Sequence, residues 1–342
     1  MDSNRKGPER TGNGRAGTIL IRGELIGPVT DERRRAIRER APEHRLVEVP
    51  DNEQELGIDV EEIEAVFGNL PRELWTKATG LRWLQLQGAG ADNLPEEARK
   101  GGLTVTNASG VHAEPISDHL LAMIYAFARD LPLAIRQQQE HKWHYDRRPE
   151  VFEPAGKRAL LLGTGAIGHA FARKASALGM KVVGIRRNPD APLRGDEGDT
   201  SCYLRLAGPD AIRKELPHAD FLVITLPLTP ETRGMIGAEE LERLPRHALV
   251  FNIGRGAIID QDALIEALRD RSIGGAGLDV FDPEPLPADS PLWDLENVLM
   301  TTHYSGMNPR YDERLWSIFL DNLERYVTGQ QLRNVVDTGL GY

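Results

Sequence analysis

The chain carries one cysteine, Cys202, among its 342 residues. No disulfide can close within it, and a reducing, cytoplasmic setting is the expectation. Long apolar runs are missing too. None reaches the roughly 18 residues that a membrane-spanning helix needs, so no span is expected. Residues Met1–Gly17 hold Gly, Arg, Asn and Pro but no apolar stretch. They lack the centre of a secretory leader and read as a disordered tail. Positive charge is outweighed, with a formal net charge of -10. An acidic chain is a poor partner for nucleic acid. What is present suits a folded protein: 40% hydrophobic and 27% charged residues, in a length that favours two cores over one.

Apolar runs alternate with helical stretches, which argues for parallel sheets. In the first third the runs are Thr18–Ile21, Leu46–Val49, Ala65–Phe67, Trp83–Leu86 and Leu103–Val105. Helices are expected between them at Asp31–Arg40 and Pro71–Thr79. Arg33, Arg34 and Arg35 read as a solvated helix face. A long helix is expected over residues 117–139, with Ser117 or a neighbour as its cap and an apolar stripe that also suits a second subunit. Residues 142–156 read as a loop. A second run begins at Arg158, with strands at Ala159–Leu162, Lys181–Ile185, Phe221–Leu226, Ala248–Asn252, Gly277–Val280 and Val298–Thr302. A last helix, Arg310–Tyr326, is expected to pack back onto the first domain.

Gly163-Thr164-Gly165-Ala166-Ile167-Gly168 fits GxGxxG between a strand and a helix. Gly163 permits a tight turn, Gly165 lets backbone approach a pyrophosphate at a helix N-terminus, and Gly168 lets helix and sheet pack closely. A dinucleotide is the implied ligand. An acidic residue usually follows the next strand, about 20 residues on, to hold a ribose 2′-hydroxyl. Here Val183-Gly184-Ile185 runs into Arg186-Arg187. Two guanidiniums suit a 2′-phosphate, so NADP(H) is expected over NAD(H).

Open α/β sheets bind ligands at the carboxyl ends of their strands. Those ends read Leu226-Pro227, then Ile253-Gly254-Arg255, then Asp279, and finally Thr302-His303, with Glu284 just beyond Asp279. Reducing a 2-oxo acid needs a cation for the carboxylate, a proton for the carbonyl oxygen and a means of recharging the donor. Arg255 supplies the first, His303 the second, and Glu284 would favour the imidazolium. Asp279 is placed to accept from a nicotinamide carboxamide, and Ser305 to contact cofactor. The expected fold is α/β: two doubly wound parallel-sheet domains, a Rossmann cofactor domain (112–305) inserted in a discontinuous flavodoxin-like substrate domain (18–111 and 306–342).

The segments Gly163–Gly168, Thr225–Gly237, Asn252–Asp262, Gly275–Pro285 and Thr301–Gly306 resemble the D-isomer-specific 2-hydroxyacid dehydrogenases, in particular the glyoxylate/hydroxypyruvate reductase-like branch. The resemblance implies catalytic Arg255, Glu284 and His303, cofactor contacts that include Thr232, and a homodimer built through helix 117–139. It also implies that Gly88, Ala89 and Gly90, within Gln87–Asp92, offer N–H groups to the substrate carboxylate. This chain departs from the family in having Thr302 where Pro commonly precedes the histidine, and Arg186 where an acid is usual.

Other readings stay open. A dehydrogenase of formate or phosphite would share the cofactor site, and a cofactor-sensing corepressor would bind without turnover. His112, Glu114, Asp118 and His119 have metal-ligand types without a recognised spacing, and no metal is expected. His119 could line the cleft. Trp143, with His141 and His144 nearby, could cover a partner's active site.

Overall fold

The computed structural model describes residues 16–23, 26–50, 56–91, 94–99, 102–143, 151–191 and 199–337. These fall into two compact units, one running up to Val111 and resuming at Asn308, the other His112–Met307.

In the first unit, β1 (Thr18–Arg22), β2 (Arg45–Glu48), β3 (Ile63–Gly68), β4 (Trp83–Gln85) and β5 (Thr104–Thr106) form one parallel sheet in the order β2-β1-β3-β4-β5. This is the flavodoxin-like order. All of β1 is buried, as a strand covered on both faces must be. The helix Tyr311–Val327 supplies one of those covers. Phe319 stacks on Phe67 at 4.1 Å between centroids, and the Trp316 indole donates to the Ile26 carbonyl at 2.8 Å.

Glu64 ties the sheet to that helix. It accepts the Tyr326 hydroxyl and the Gly17 N–H, each at 2.7 Å, and lies 3.7 Å from the His44 ring. The His44 imidazole first, with the Tyr326 hydroxyl and Gly17 N–H behind it, outweighs desolvation and lowers the carboxyl from 4.5 to about 2. The folded value lies below the unfolded one. The stabilisation is therefore full above pH 4.5 and is lost as pH falls toward 2. Glu64→Gln is expected to lower Tm at neutral pH by roughly 3–6 °C. It should also shrink the drop in Tm between neutral and acid pH; an unchanged acid limb in thermal melts would remove Glu64 as its cause.

In the second unit, β6 (Arg158–Leu162), β7 (Lys181–Ile185), β8 (Arg205–Ala207), β9 (Phe221–Ile224), β10 (Leu249–Asn252), β11 (Gly275–Leu278) and β12 (Val298–Met300) form a parallel sheet. Its order is β12-β11-β10-β9-β6-β7-β8. The order reverses between β6 and β9, which places the ligand crevice of such a sheet at their carboxyl ends. The expected strands number six and the sheet has seven. The unforeseen one, β8, is three residues at the sheet edge, too short to show a period.

Four local expectations fail. Residues 117–139 are not one helix but two, Ala113–Ala128 and Leu131–Gln139. In a continuous helix Pro132 would lack its N–H and clash with the preceding turn. The chain instead breaks at Asp130 (φ 49°) and places Pro132 in a new first turn. Ser117 is no cap: it lies inside the first of these helices, buried, and its hydroxyl donates to the Glu114 carbonyl at 2.8 Å. The stretch Pro71–Thr79 forms only a short 3-10 turn, Arg72–Leu74.

The helix Asp31–Arg40 does form, capped by the Thr30 side chain. Its Arg33 is not solvated, however. The guanidinium pairs with Asp312 at 2.8 Å and lies 4.8 Å over the Trp316 ring.

Candidate active site

At the carboxyl end of β6, Gly163 takes φ 99°, and Thr225 at the end of β9 donates to its carbonyl at 2.9 Å. A Cβ on Gly168 would stand 2.1 Å from that same carbonyl, so the helix Ala166–Ala177 sits directly on the loop. Around Gly165 there is open space. Gly165 caps the helix without a side chain, and no acid occupies the first turn. Among the described residues no side chain caps the N–H groups at this end, and their dipole favours an anion. The cradle fits a dinucleotide pyrophosphate. Arg186 follows β7 directly, half-exposed, with a guanidinium N–H on the Ala191 carbonyl at 2.9 Å; Arg187 is exposed.

The ends of β9 and β10 meet closely. A Cβ on Gly254 would lie 2.6 Å from the Leu226 carbonyl oxygen. Ile253 is buried in the core, so its side chain is spent on packing. The Thr232 hydroxyl donates to the Pro227 carbonyl and accepts the Thr229 N–H, each at 2.8 Å, and so closes the turn after β9.

Arg255 is thrown out by a turn that Asn252 builds. The Asn252 amide donates to the Arg255 carbonyl and its oxygen accepts the Gly254 N–H, both at 3.0 Å. Next to it, a Cβ on Gly256 would lie 2.0 Å from the Phe281 carbonyl group. Only glycine lets this loop rest on the segment after β11. In that segment Glu284 accepts the Phe281 N–H at 2.9 Å, and its other oxygen meets His303 Nδ1 at 2.7 Å. An ionised carboxylate only accepts, so Nδ1 donates and Nε2 faces away. His303 has φ 55°, a left-handed backbone that is uncommon for a residue with a side chain. Glu284 and His303 therefore bond directly, while Arg255 stands on the adjoining loop.

Asp279 is 1% exposed, and its carboxylate is filled from within. It accepts the Thr301 hydroxyl at 2.6 Å, the Tyr304 N–H at 3.1 Å, the Ser305 N–H at 3.2 Å and the Ser305 hydroxyl. Those four donors match the roughly four lone-pair sites of a carboxylate. The two residues expected to contact cofactor, Asp279 and Ser305, are thus bonded to one another, the Ser305 hydroxyl donating and its oxygen still able to accept.

In the first unit, the carbonyls of Gln87, Gly88 and Ala89 accept from the Tyr311 hydroxyl, the Ala108 N–H (2.9 Å) and the Asn107 amide (2.7 Å). Across a trans peptide the next N–H points opposite to the carbonyl. The N–H groups of Gly88, Ala89 and Gly90 thus turn away from those donors. Gly88 and Gly90 line a cavity of about 640 Å³. Asp92 lies outside the described residues.

The set His112, Glu114, Asp118 and His119 is drawn apart. His112 donates to the Gly306 carbonyl at 3.0 Å, Glu114 and Asp118 both take Lys174, and His119 meets Thr301 at 3.0 Å. Among the described residues no three His, Cys, Asp or Glu side chains could share a metal, and no helix is long and apolar enough to cross a membrane. Trp143 is 90% exposed, and His144 lies outside the described residues. Sequence reasoning missed Asn252, although an amide closing the apolar run Leu249-Val250-Phe251 was a usable signal. It also missed Thr301.

The model of the D-isomer specific 2-hydroxyacid dehydrogenase NAD binding domain matches residues 121–305. The glyoxylate reductase of Korarchaeum cryptofilum (strain OPF8) is 36% identical over 272 residues, which cover 78% of this chain and 79% of the relative. Similar folds have been solved. A D-isomer specific 2-hydroxyacid dehydrogenase from Xanthobacter autotrophicus Py2, in complex with NADPH and MES, has a TM-score of 0.78 at 29% identity, covering 96% of this chain and 100% of that one. An NADPH-dependent glyoxylate/hydroxypyruvate reductase from Sinorhizobium meliloti, in complex with NADP and sulfate, has a TM-score of 0.73 at 25% identity, covering 95% and 100%. Matched by the family's own model over more than half its length and by relatives over most of it, the chain belongs to the D-isomer specific 2-hydroxyacid dehydrogenase family.

Proposed function

We propose that this chain reduces a small 2-oxo acid to its D-2-hydroxy acid with NADP(H), and runs the reverse reaction. The observation that carries the reading is the 2.7 Å bond from His303 to Glu284 at the carboxyl edge of the second sheet, with Arg255 on the adjoining loop. NADPH, when bound, supplies the hydride taken by the carbonyl carbon. His303 passes its Nε2 proton to the carbonyl oxygen. The Glu284 carboxylate offsets the positive charge on the ring and holds its orientation. Arg255 grips the substrate carboxylate and polarises the carbonyl. Gly88, Ala89 and Gly90, in the first unit, offer N–H groups suited to a carboxylate.

Residues Gly163–Gly168 cradle the pyrophosphate, with the Leu226–Pro227 and Ile253–Gly254 backbones along the same edge. Arg186 and Arg187 pair with the 2′-phosphate, and NAD(H) binds more weakly for want of it. Leu131 and Ile135 are 46% and 52% exposed, which supports a homodimer formed through the helices Ala113–Ala128 and Leu131–Gln139.

The test is NADPH oxidation with glyoxylate and hydroxypyruvate, with chiral analysis of the hydroxypyruvate product. A D-product supports the reading; no turnover of any 2-oxo acid, or an L-product, overturns it. In the same assay Arg186→Asp should cut the NADPH-over-NADH preference about 30-fold, the worth of one charge-assisted bond. An unchanged preference would remove Arg186 from the cofactor site.

A further inference from the structure

His119 and Thr301 have no part in the reaction as described, yet they are linked to it. His119 Nε2 lies 3.0 Å from the Thr301 hydroxyl, and that hydroxyl lies 2.6 Å from Asp279 Oδ1. The Thr301 hydroxyl has one proton, and the ionised carboxylate can only accept it. His119 must then be the donor, through Nε2–H. Its surroundings agree. Burial lowers the His119 pKa, opposed by the Asp279 charge, which favours the neutral ring. The ring is also wedged edge-on against Tyr304, 5.8 Å between centroids. The bonds run one way: His119 to Thr301 to Asp279.

Asp279 in turn fastens the segment that carries His303. Its carboxylate holds Thr301 on one side and Tyr304 and Ser305 on the other, and its carbonyl takes the His303 N–H at 2.8 Å. His303 itself sits at φ 55°. A left-handed residue bearing a side chain persists only when its neighbours over-determine it. Here those neighbours answer to one buried carboxylate, and the far end of its support is His119, 182 residues away from Thr301 in sequence.

We propose that Thr301 and His119 are positioning residues: the chain His119–Thr301–Asp279 holds the 301–305 turn in the left-handed form that keeps the His303 ring on Glu284. The proposal rests on the reading of His303 as proton donor, and its test separates the two. Thr301→Val removes the hydroxyl at nearly constant shape, and Thr301→Ser restores it. Thr301→Val is expected to lower kcat about tenfold, as loosened catalytic geometry does. KM for hydroxypyruvate and Kd for NADPH should stay within about twofold, and Thr301→Ser should keep kcat within about twofold. His119→Phe should match Thr301→Val, and the double variant should be no worse than either single one, because both cut the same chain.

A second readout needs no turnover. In ¹⁵N-histidine-labelled protein without cofactor, the His303 Nδ1–H resonance, assigned by its loss in His303→Gln, should be present in wild type and Thr301→Ser. It should be broadened or absent in Thr301→Val and His119→Phe. A Thr301→Val enzyme with wild-type kcat and an intact resonance overturns the proposal. So does a Thr301→Ser enzyme as impaired as Thr301→Val, or a loss confined to KM. Should Thr301→Val fail to fold, His119→Phe decides by the same criteria. An inactive wild-type protein whose resonance still responds as described would overturn the function and support the positioning.

Discussion

His303→Gln is expected to lower kcat for 2-oxo acid reduction by about three orders of magnitude, while Kd for NADPH stays within about twofold. The separation follows from where the residue stands. The proposed cofactor cradle is Gly163–Gly168, after β6 and at the start of the helix behind it. His303 stands beyond β12, at the far edge of the sheet. Its ring bonds Glu284, an exposed neighbour, through Nδ1. Glutamine can keep that bond but cannot carry a proton on the opposite nitrogen. The loss should therefore fall on proton transfer alone. Stopped-flow NADPH oxidation gives the rate, and cofactor fluorescence gives the affinity. Full activity in the variant would end the mechanism. Tight cofactor binding with negligible turnover in the wild type itself would favour the cofactor-sensing alternative.

Arg255→Lys should cost nearly as much as Arg255→Ala, with kcat/KM down roughly 10²–10³-fold in both. Charge alone is not what the site has prepared. Asn252 spends both ends of its amide on the turn that projects Arg255, and Gly256 gives up its side chain so that the loop can rest on Phe281. Such a support aims a planar fork, which matches a carboxylate with two parallel bonds. A lysine keeps the charge and loses the fork. Steady-state kinetics with hydroxypyruvate decide it, and guanidinium added to Arg255→Ala should recover part of the rate. A lysine variant within threefold of wild type would show that a point charge is enough.

Much of this was legible in the sequence because the responsible constraints are local. A loop that must turn tightly, admit a phosphate and seat a helix writes three glycines within six residues, Gly163, Gly165 and Gly168. Most of the strand ends were legible for the same reason: an apolar run followed by a polar residue, as at Asp279 and His303. What was not legible has a different cause. The partners that Asp279, Ser305 and Thr232 take depend on which donors and acceptors fold against them. Thr301 lies in a segment that carries the resemblance, but nothing local marks its hydroxyl, and its partner His119 is too distant to be paired with it by spacing. The break at Asp130 belongs to the first kind, since Pro132 announces it; the apolar stripe running across it masked the signal.

The loop at Gly88–Gly90 has a consequence for how such a site can change. In the proposed function its attraction for an anion would come from peptide groups, which neither titrate nor depend on side-chain identity. What aims them are three donors outside the loop: Tyr311, Asn107 and the backbone of Ala108. Under that proposal the residue types within the loop could drift and reshape the walls of the neighbouring cavity while the grip on the anion was inherited intact. Recognition of the acid group and choice of its substituent would then be encoded in different places, and one could be revised without rewriting the other.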